Sequence, residues 1–209
     1  MITFVINLKN STDRWSKYEN TDYHRWEATE RTEVDDETIY KMISMHNYPL
    51  YKHLGRCACF LSHMKLLEHI IKNKINDVLI LEDDAVKFND LPKHYSNDGI
   101  TYVGGWAHSK KMGNAKNVII NDNQNEGISK KEDFRILMTM SYIVPTWHIA
   151  KKIVDFIKSK KRYRAIDIMY DDLPMPIYYC YPASFIEDIC PSTIDTSKKK
   201  RADQYYQLH

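Results

Sequence analysis

Two groups of carboxylates in this chain have a setting that could support chemistry. The first, Glu82-Asp83-Asp84, follows directly on the apolar run Val78-Leu79-Ile80-Leu81. Adjacent carboxylates repel one another, and their hard oxygens suit a divalent cation such as Mg²⁺ or Mn²⁺, which in turn can hold the phosphates of a substrate. A solvated acidic turn would satisfy the same residues with no ligand at all. The second group is Asp167, Asp171 and Asp172, within the otherwise mostly apolar segment Ala165 to Asp172.

The elements that must position these acids are legible in the periodicity. Val78 to Leu81 reads as a strand covered on both faces, as in a parallel sheet. Ligands of such sheets collect at the carboxyl ends of the strands, which is where the acids lie. Upstream, Phe60, Met64, Leu67 and Ile71 recur at three- and four-residue spacing within Arg56 to Asn73 and predict an amphipathic helix. The acids therefore close a helix-to-strand unit of α/β type.

Ile2 to Leu8 predicts a first strand, followed by a short helix through Tyr18 capped from Ser11-Thr12-Asp13. Tyr23 to Ala28 predicts a second strand, and Asp35 or Asp36 caps a helix carrying Ile39, Met42 and Ile43. Ile100 to Val103 predicts another strand that runs into Gly104-Gly105-Trp106. There two glycines permit close backbone approach and an indole offers an apolar surface, although a turn with a core Trp fits equally well. Residues 107–133 read as a long surface excursion of the kind that carries substrate contacts. Apolar character returns from Arg135 to Val144, Pro145-Thr146 starts a helix with Ile149, Ile153 and Ile157 inward, and Ile177 to Tyr181 predicts a last strand.

Composition sets the frame. With 209 residues, 43% hydrophobic and 28% charged, the chain can build one sizeable core, and a single domain over 1–196 is expected. Lys198-Lys199-Lys200-Arg201 then falls in a basic tail over 197–209, or in a linker to further domains. A net charge of +2 gives no global field for nucleic acid, so no nucleic-acid partner is expected. No apolar stretch is long enough to cross a bilayer and no secretory leader opens the chain, which predicts a cytoplasmic protein. Cys57, Cys59, Cys180 and Cys190 form no Cys-x-x-Cys pair and suit a reducing compartment; Cys57-x-Cys59 with His63 has poor spacing for zinc. His63 borders the apolar face of its helix, where a satisfied core histidine competes with a ligand contact. The six glycines contain neither Gly-x-Gly-x-x-Gly nor a Walker-type run, which disfavours ATPases and Rossmann dehydrogenases.

Taken in order, Phe4-Val5-Ile6-Asn7-Leu8 with Asp13-Arg14, then Gly55-Arg56-Cys57-Ala58-Cys59-Phe60-Leu61-Ser62-His63, then Leu79-Ile80-Leu81-Glu82-Asp83-Asp84, resemble glycosyltransferase family 25. Ser141-Tyr142-Ile143-Val144, Ile166-Asp167 and Pro191-Ser192 extend the resemblance over nearly the whole chain. The family includes lipopolysaccharide-modifying and collagen-type galactosyltransferases. The form is also similar to a glycosyltransferase domain that builds viral capsid glycans, which would place the protein in host cytoplasm.

The resemblance implies a GT-A type nucleotide-sugar-binding domain, α/β with a mixed, mostly parallel central sheet flanked by helices. It also implies a metal-dependent inverting glycosyltransferase that uses a nucleotide-diphosphate sugar, UDP-linked by family habit, and an oligosaccharide or glycoprotein acceptor. The acids then acquire roles: Asp84 is the foremost ligand for Mn²⁺ or Mg²⁺, and Asp83 or Glu82 ligates directly, through water, or holds the donor ribose. A cation there offsets the charge that builds as the diphosphate departs. A base must take the acceptor hydroxyl's proton, and Asp167, Asp171 and Asp172 are the candidates, with a helix cap or surface pair as the alternative for each. Asp188 is a further candidate for either role. Donor contacts are assigned to Asn7, Leu8, Arg14, Thr29, Arg31 and Lys65, and acceptor contacts to Gly105 and Trp106.

Two other classes share these features. A nucleotidyltransferase or metal phosphohydrolase also places acids after a buried strand, and a non-catalytic nucleotide- or glycan-binding domain would use the 15 Tyr and 4 Trp as a stacking platform.

Overall fold

The structure, a computed structural model, describes residues 1–42, 50–109, 127–131 and 134–188, without the side chains of 50–52 and 106–109. In chain order the elements are β1 (Ile2–Asn7), α1 (Thr12–Trp15), β2 (His24–Glu27), α2 (Asp36–Lys41), α3 (Leu50–Lys72), β3 (Val78–Glu82), β4 (Ala85–Lys87), β5 (Ile100–Tyr102), β6 (Trp106–Ser109), β7 (Gly127–Lys130), β8 (Phe134–Leu137), β9 (Ser141–Val144), α4 (Trp147–Lys158), α5 (Ile166–Asp171), β10 (Ile177–Tyr181) and β11 (Phe185–Glu187). Short 3-10 turns at Ser16–Tyr18 and Arg31–Glu33 follow α1 and β2.

The central sheet has the order β2-β1-β3-β9-β5-β10-β7. Strands β2, β1, β3, β5 and β10 share one direction, while β9 and β7 run against their neighbours. The sheet is thus mixed: its strands mostly point one way, yet the hydrogen-bonded pairs are as often antiparallel as parallel. The fold is α/β, as expected.

Strand β3 lies between β1 and β9, and Val78, Leu79, Ile80 and Leu81 have no solvent exposure. Period-two alternation explains the unbroken apolar run. Val78 and Ile80 join Phe4 and Ile6 in the core under α3 and α4, whereas Leu79 and Leu81 join Val5, Tyr18 and Phe185 on the opposite face. Each such fully buried side chain contributes about 2 kcal/mol of transfer free energy. Helix α3 presents Cys57, Phe60, Met64, Leu67 and Ile70 to the first core, and α4 adds Ile149, Ala150, Ile153, Val154 and Ile157. The α2 and α4 starts are capped as anticipated, by the Asp35 side chain accepting from Thr38 N at 2.6 Å and by Thr146 accepting from Ile149 N at 3.3 Å.

Some sequence expectations need correction. The excursion over 107–133 is not loop throughout, because its ends are strands: β6 pairs with β8, and β7 adds to the edge of the central sheet beside β10. The apolar stretch Arg135 to Val144 is two strands, β8 and β9, separated at Met138, whose φ of 72° breaks the ladder. Strands β4 and β11 pair in a separate ribbon, each too short to leave a periodic signature. Ile43, Cys190, Pro191, Ser192 and the proposed tail at 197–209 lie outside the described residues.

Candidate active site

The three acids do not form one patch, because they end a strand and begin a turn. Glu82, in register with Ile6, turns to the α3 side of the sheet. There its Oε1 accepts from Thr139 Oγ1 at 2.7 Å and lies 3.3 Å from His63 Nε2. Asp83 turns to the β1 side. Its Oδ1 accepts from Arg14 Nη1 at 2.7 Å and its Oδ2 from Asn7 Nδ2 at 2.8 Å, with both the Arg14 and Asp83 side chains 12% exposed. Asn7 also donates to the carbonyl of Ser11, so the end of β1, the start of α1 and the acidic turn are tied together. Removing one member of so enclosed a pair strands the other charge. Arg14→Met is therefore expected to cost about 3 kcal/mol of stability, read as a lower urea midpoint at unchanged slope.

Asp84 is buried, at 6% exposed, and its backbone carbonyl accepts from Asp188 N at 2.7 Å. The β4–β11 ribbon makes this approach, with Glu187 opposite Ala85. Tyr18 closes the other side by donating its hydroxyl to the Ala85 carbonyl at 2.5 Å. Burial, and then the charges of Asp84, Asp83 and Asp188, push the Tyr18 hydroxyl pKa far above its ordinary value. Lys17 pairs with Asp188 and Arg14 with Asp83. The donors on offer here are carboxylate oxygens, which fit Mn²⁺ or Mg²⁺.

The second acidic group is divided by its partners. Asp171 is 3% exposed and paired with both Lys131 and Arg135, the latter at 3.1 Å, so it is neutralised. Asp172, at the end of α5, pairs with Arg164 near the surface. Asp167 is partly buried, and among the described residues its carboxylate accepts from two backbone donors: Oδ2 from Met138 N at 3.1 Å and Oδ1 from Ile168 N at 2.8 Å. Burial raises its pKa against those two bonds, the neighbouring Glu82 charge raises it further, and Arg56 opposes. Asp171→Asn is expected to lose about 3 kcal/mol of stability by unpairing Lys131, which a denaturant titration would read, while leaving the pH dependence of any activity unshifted.

Gly105 touches the same segment. It has a φ of 123°, and a Cβ there would sit 3.1 Å from the Leu137 carbonyl and 3.3 Å from that of Met138. Gly105→Ala should thus destabilise by more than 1 kcal/mol and displace Met138, the donor to Asp167, measurable as a lowered melting midpoint. Gly105, Met138 and Asp167 are accordingly contiguous. Trp106 opens β6, and its ring lies outside the described residues.

The other predicted contacts are spread along the edge. Leu8 packs on the first core, and its carbonyl accepts from Arg25. Thr29 is buried, with its backbone N–H donating to Ser62 Oγ at 2.9 Å. Arg31 opens the 3-10 turn after β2, beside α3. Lys65 is exposed on α3, where its charge acts on Asp35, the cap of α2. His63 is fully buried with both ring nitrogens engaged, as a satisfied core histidine is. Arg56 and Thr139 were not singled out from sequence. Arg56 had a signal, lying in the Gly55 to His63 block, whereas Thr139 had none.

Residues 1–173 match the family model described as glycosyltransferase family 25 (LPS biosynthesis protein). A glycosyltransferase 25 family member from Anopheles gambiae is 25% identical over 119 residues, covering 49% of this chain; the chain matches only 20% of that protein's length. Among solved structures, a nucleoside-diphosphate-sugar pyrophosphorylase from Vibrio cholerae RC9 aligns over 99% of this chain and 79% of its own at 11% identity and a TM-score of 0.37, too low a likeness to bear on function. Since the family match takes in both the acidic turn and Asp167, the protein belongs to glycosyltransferase family 25.

Proposed function

We propose that the protein is a metal-dependent, inverting glycosyltransferase that moves a hexosyl or deoxyhexosyl group from a UDP-linked donor to a hydroxyl of an oligosaccharide or glycoprotein acceptor. The observation that carries this reading is the placement, along one sheet edge, of the buried Asp84 beside Asp188 and of the partly buried Asp167 beside Met138 and Gly105. Asp84 and Asp188 would hold a Mn²⁺ or Mg²⁺ that offsets the charge of the departing diphosphate. Asp83, held on both oxygens by Arg14 and Asn7, shapes the turn.

Asp167 takes the acceptor proton. Its raised pKa makes it a stronger base than a solvated aspartate, and its two backbone donors fix the carboxylate plane. The acceptor oxygen attacks the anomeric carbon from the side opposite the diphosphate, which leaves with the bonding pair, so configuration inverts. Donor binding uses the ends of β1 and β2. Asn7 Oδ1 and Thr29 Oγ1 are buried there with no hydrogen-bond partner among the described residues, and a nucleotide's ribose or base edge would satisfy them. For the acceptor, the resemblance to capsid-glycan transferases makes a viral capsid glycan, modified in host cytoplasm, the specific candidate.

A thermal-shift screen of nucleotide sugars with and without Mn²⁺ tests the reading, since a ligand of the folded state raises the midpoint by mass action. A UDP-sugar is expected to raise it only with Mn²⁺ present. If every nucleotide sugar leaves it unmoved, the reading fails.

A further inference from the structure

Glu82 leaves the acidic turn and meets two side chains of α3. Cys59 and His63 stand four residues apart, on one face of that helix, and the Sγ, ring-nitrogen and carboxylate-oxygen atoms of Cys59, His63 and Glu82 all lie within 4.8 Å of one another. We propose that these three residues form a second divalent-cation site, of the type that takes Zn²⁺, separate from the all-oxygen site at Asp84.

The donor set selects the ion. Thiolate, imidazole and carboxylate together suit zinc, whereas Mn²⁺ and Mg²⁺ favour oxygen alone. Tetrahedral zinc with bonds of about 2.0–2.3 Å sets its ligands roughly 3.5 Å apart. His63 Nε2 and Glu82 Oε1 are already at 3.3 Å, and the Cys59 thiol lies within 4.8 Å of its two partners.

The surroundings resemble those of a metal site more than those of a chance cluster. His63 Nδ1 lies 2.9 Å from Tyr142 Oη, which is 3.0 Å from Tyr170 Oη, so the ring is oriented with Nε2 toward Glu82. Thr139 Oγ1 donates to Glu82 at 2.7 Å and fixes the carboxylate. Partners of this sort, holding the ligands from behind, govern metal affinity. The Glu82 side chain is 27% exposed and gives an entry path. On binding, the ion replaces the thiol proton, which leaves to solvent.

The poor zinc spacing read from Cys57-x-Cys59 is explained as well. Cys57 has no exposure and packs in the core, while the workable set pairs Cys59 with His63 and recruits its third ligand from β3. An ion here would pin the end of β3 to α3 and hold Glu82 away from the Asp84 cation.

Co²⁺, a spectroscopic stand-in for Zn²⁺, tests the proposal in the full chain after chelator treatment. One equivalent should give a thiolate-to-cobalt charge-transfer band that Zn²⁺ displaces. Cys59→Ser should abolish the band, and Tyr142→Phe should weaken Zn²⁺ binding by roughly ten-fold or more through the lost hydrogen bond to His63. Asp84→Asn should keep the band, so failure of the donor-site reading would leave this result intact. The proposal is overturned if wild-type protein gives no thiolate band, meaning a hydrogen-bond network only, or if the band survives Cys59→Ser and so belongs to another cysteine.

Discussion

Asp84→Asn is expected to lower kcat/KM by about 10³ and to remove the dependence of donor binding on Mn²⁺. Three acids adjoin at the turn, and of them Asp84 is the most buried and the one whose backbone meets Asp188. An amide keeps the shape and removes the charge. A cation that offsets phosphate charge is worth several kcal/mol in the transition state, and about 4 kcal/mol corresponds to the stated factor. Steady-state kinetics over a Mn²⁺ series is the check, and a variant retaining near wild-type Mn²⁺ response would remove Asp84 from the metal site.

Asp167→Asn is expected to reduce kcat by roughly 10²–10⁴, the range for loss of a positioned base, with the donor's KM little changed. The pH profile gives the sharper readout. With Asp167 as the proposed base and its pKa raised by burial, the acid limb of kcat should fall at higher pH than an ordinary aspartate would give, and that limb should vanish in the variant. The same shift acts on stability with a defined sign. A carboxyl group whose folded-state pKa exceeds its unfolded value costs nothing below the unfolded pKa and destabilises the native state as pH rises through the folded one. Wild type should therefore lose some stability in that window. An acid limb unchanged in Asp167→Asn would assign the base elsewhere.

How much of this was visible in the sequence depends on the range over which each feature is determined. Strand β3, helix α3 and the inward stripe of α4 are local patterns, and their bounds in the structure differ from the expected ones by one residue at β3 and more at the start of α3. The acids were found for the same reason, since an abrupt change from apolar to charged residues marks a strand end. Their separate fates were not legible. Period-two geometry sends Glu82 and Asp83 to opposite faces, but what each meets there comes from far along the chain: His63 and Thr139 for one, Asn7 and Arg14 for the other.

The second acidic group makes the point more sharply. Asp167 and Asp171 are four residues apart on α5, chemically identical, and a helical reading gives them one face. Lys131 and Arg135 neutralise Asp171, and both come from a region whose polar composition suggested a loop followed by a single apolar run. Short strands such as β7 and β8 carry too few residues for alternation to register, so the cations that separate a structural aspartate from a base candidate could not be placed.

Calorimetric titration of a UDP-sugar into the protein, with Mn²⁺ and then with chelator, for wild type and Asp84→Asn, tests the central claim most directly. The expected result is saturable binding by wild type with Mn²⁺ and its loss both on chelation and in the variant. Equal binding in all of these conditions would contradict a metal-anchored sugar-nucleotide site at the end of β3.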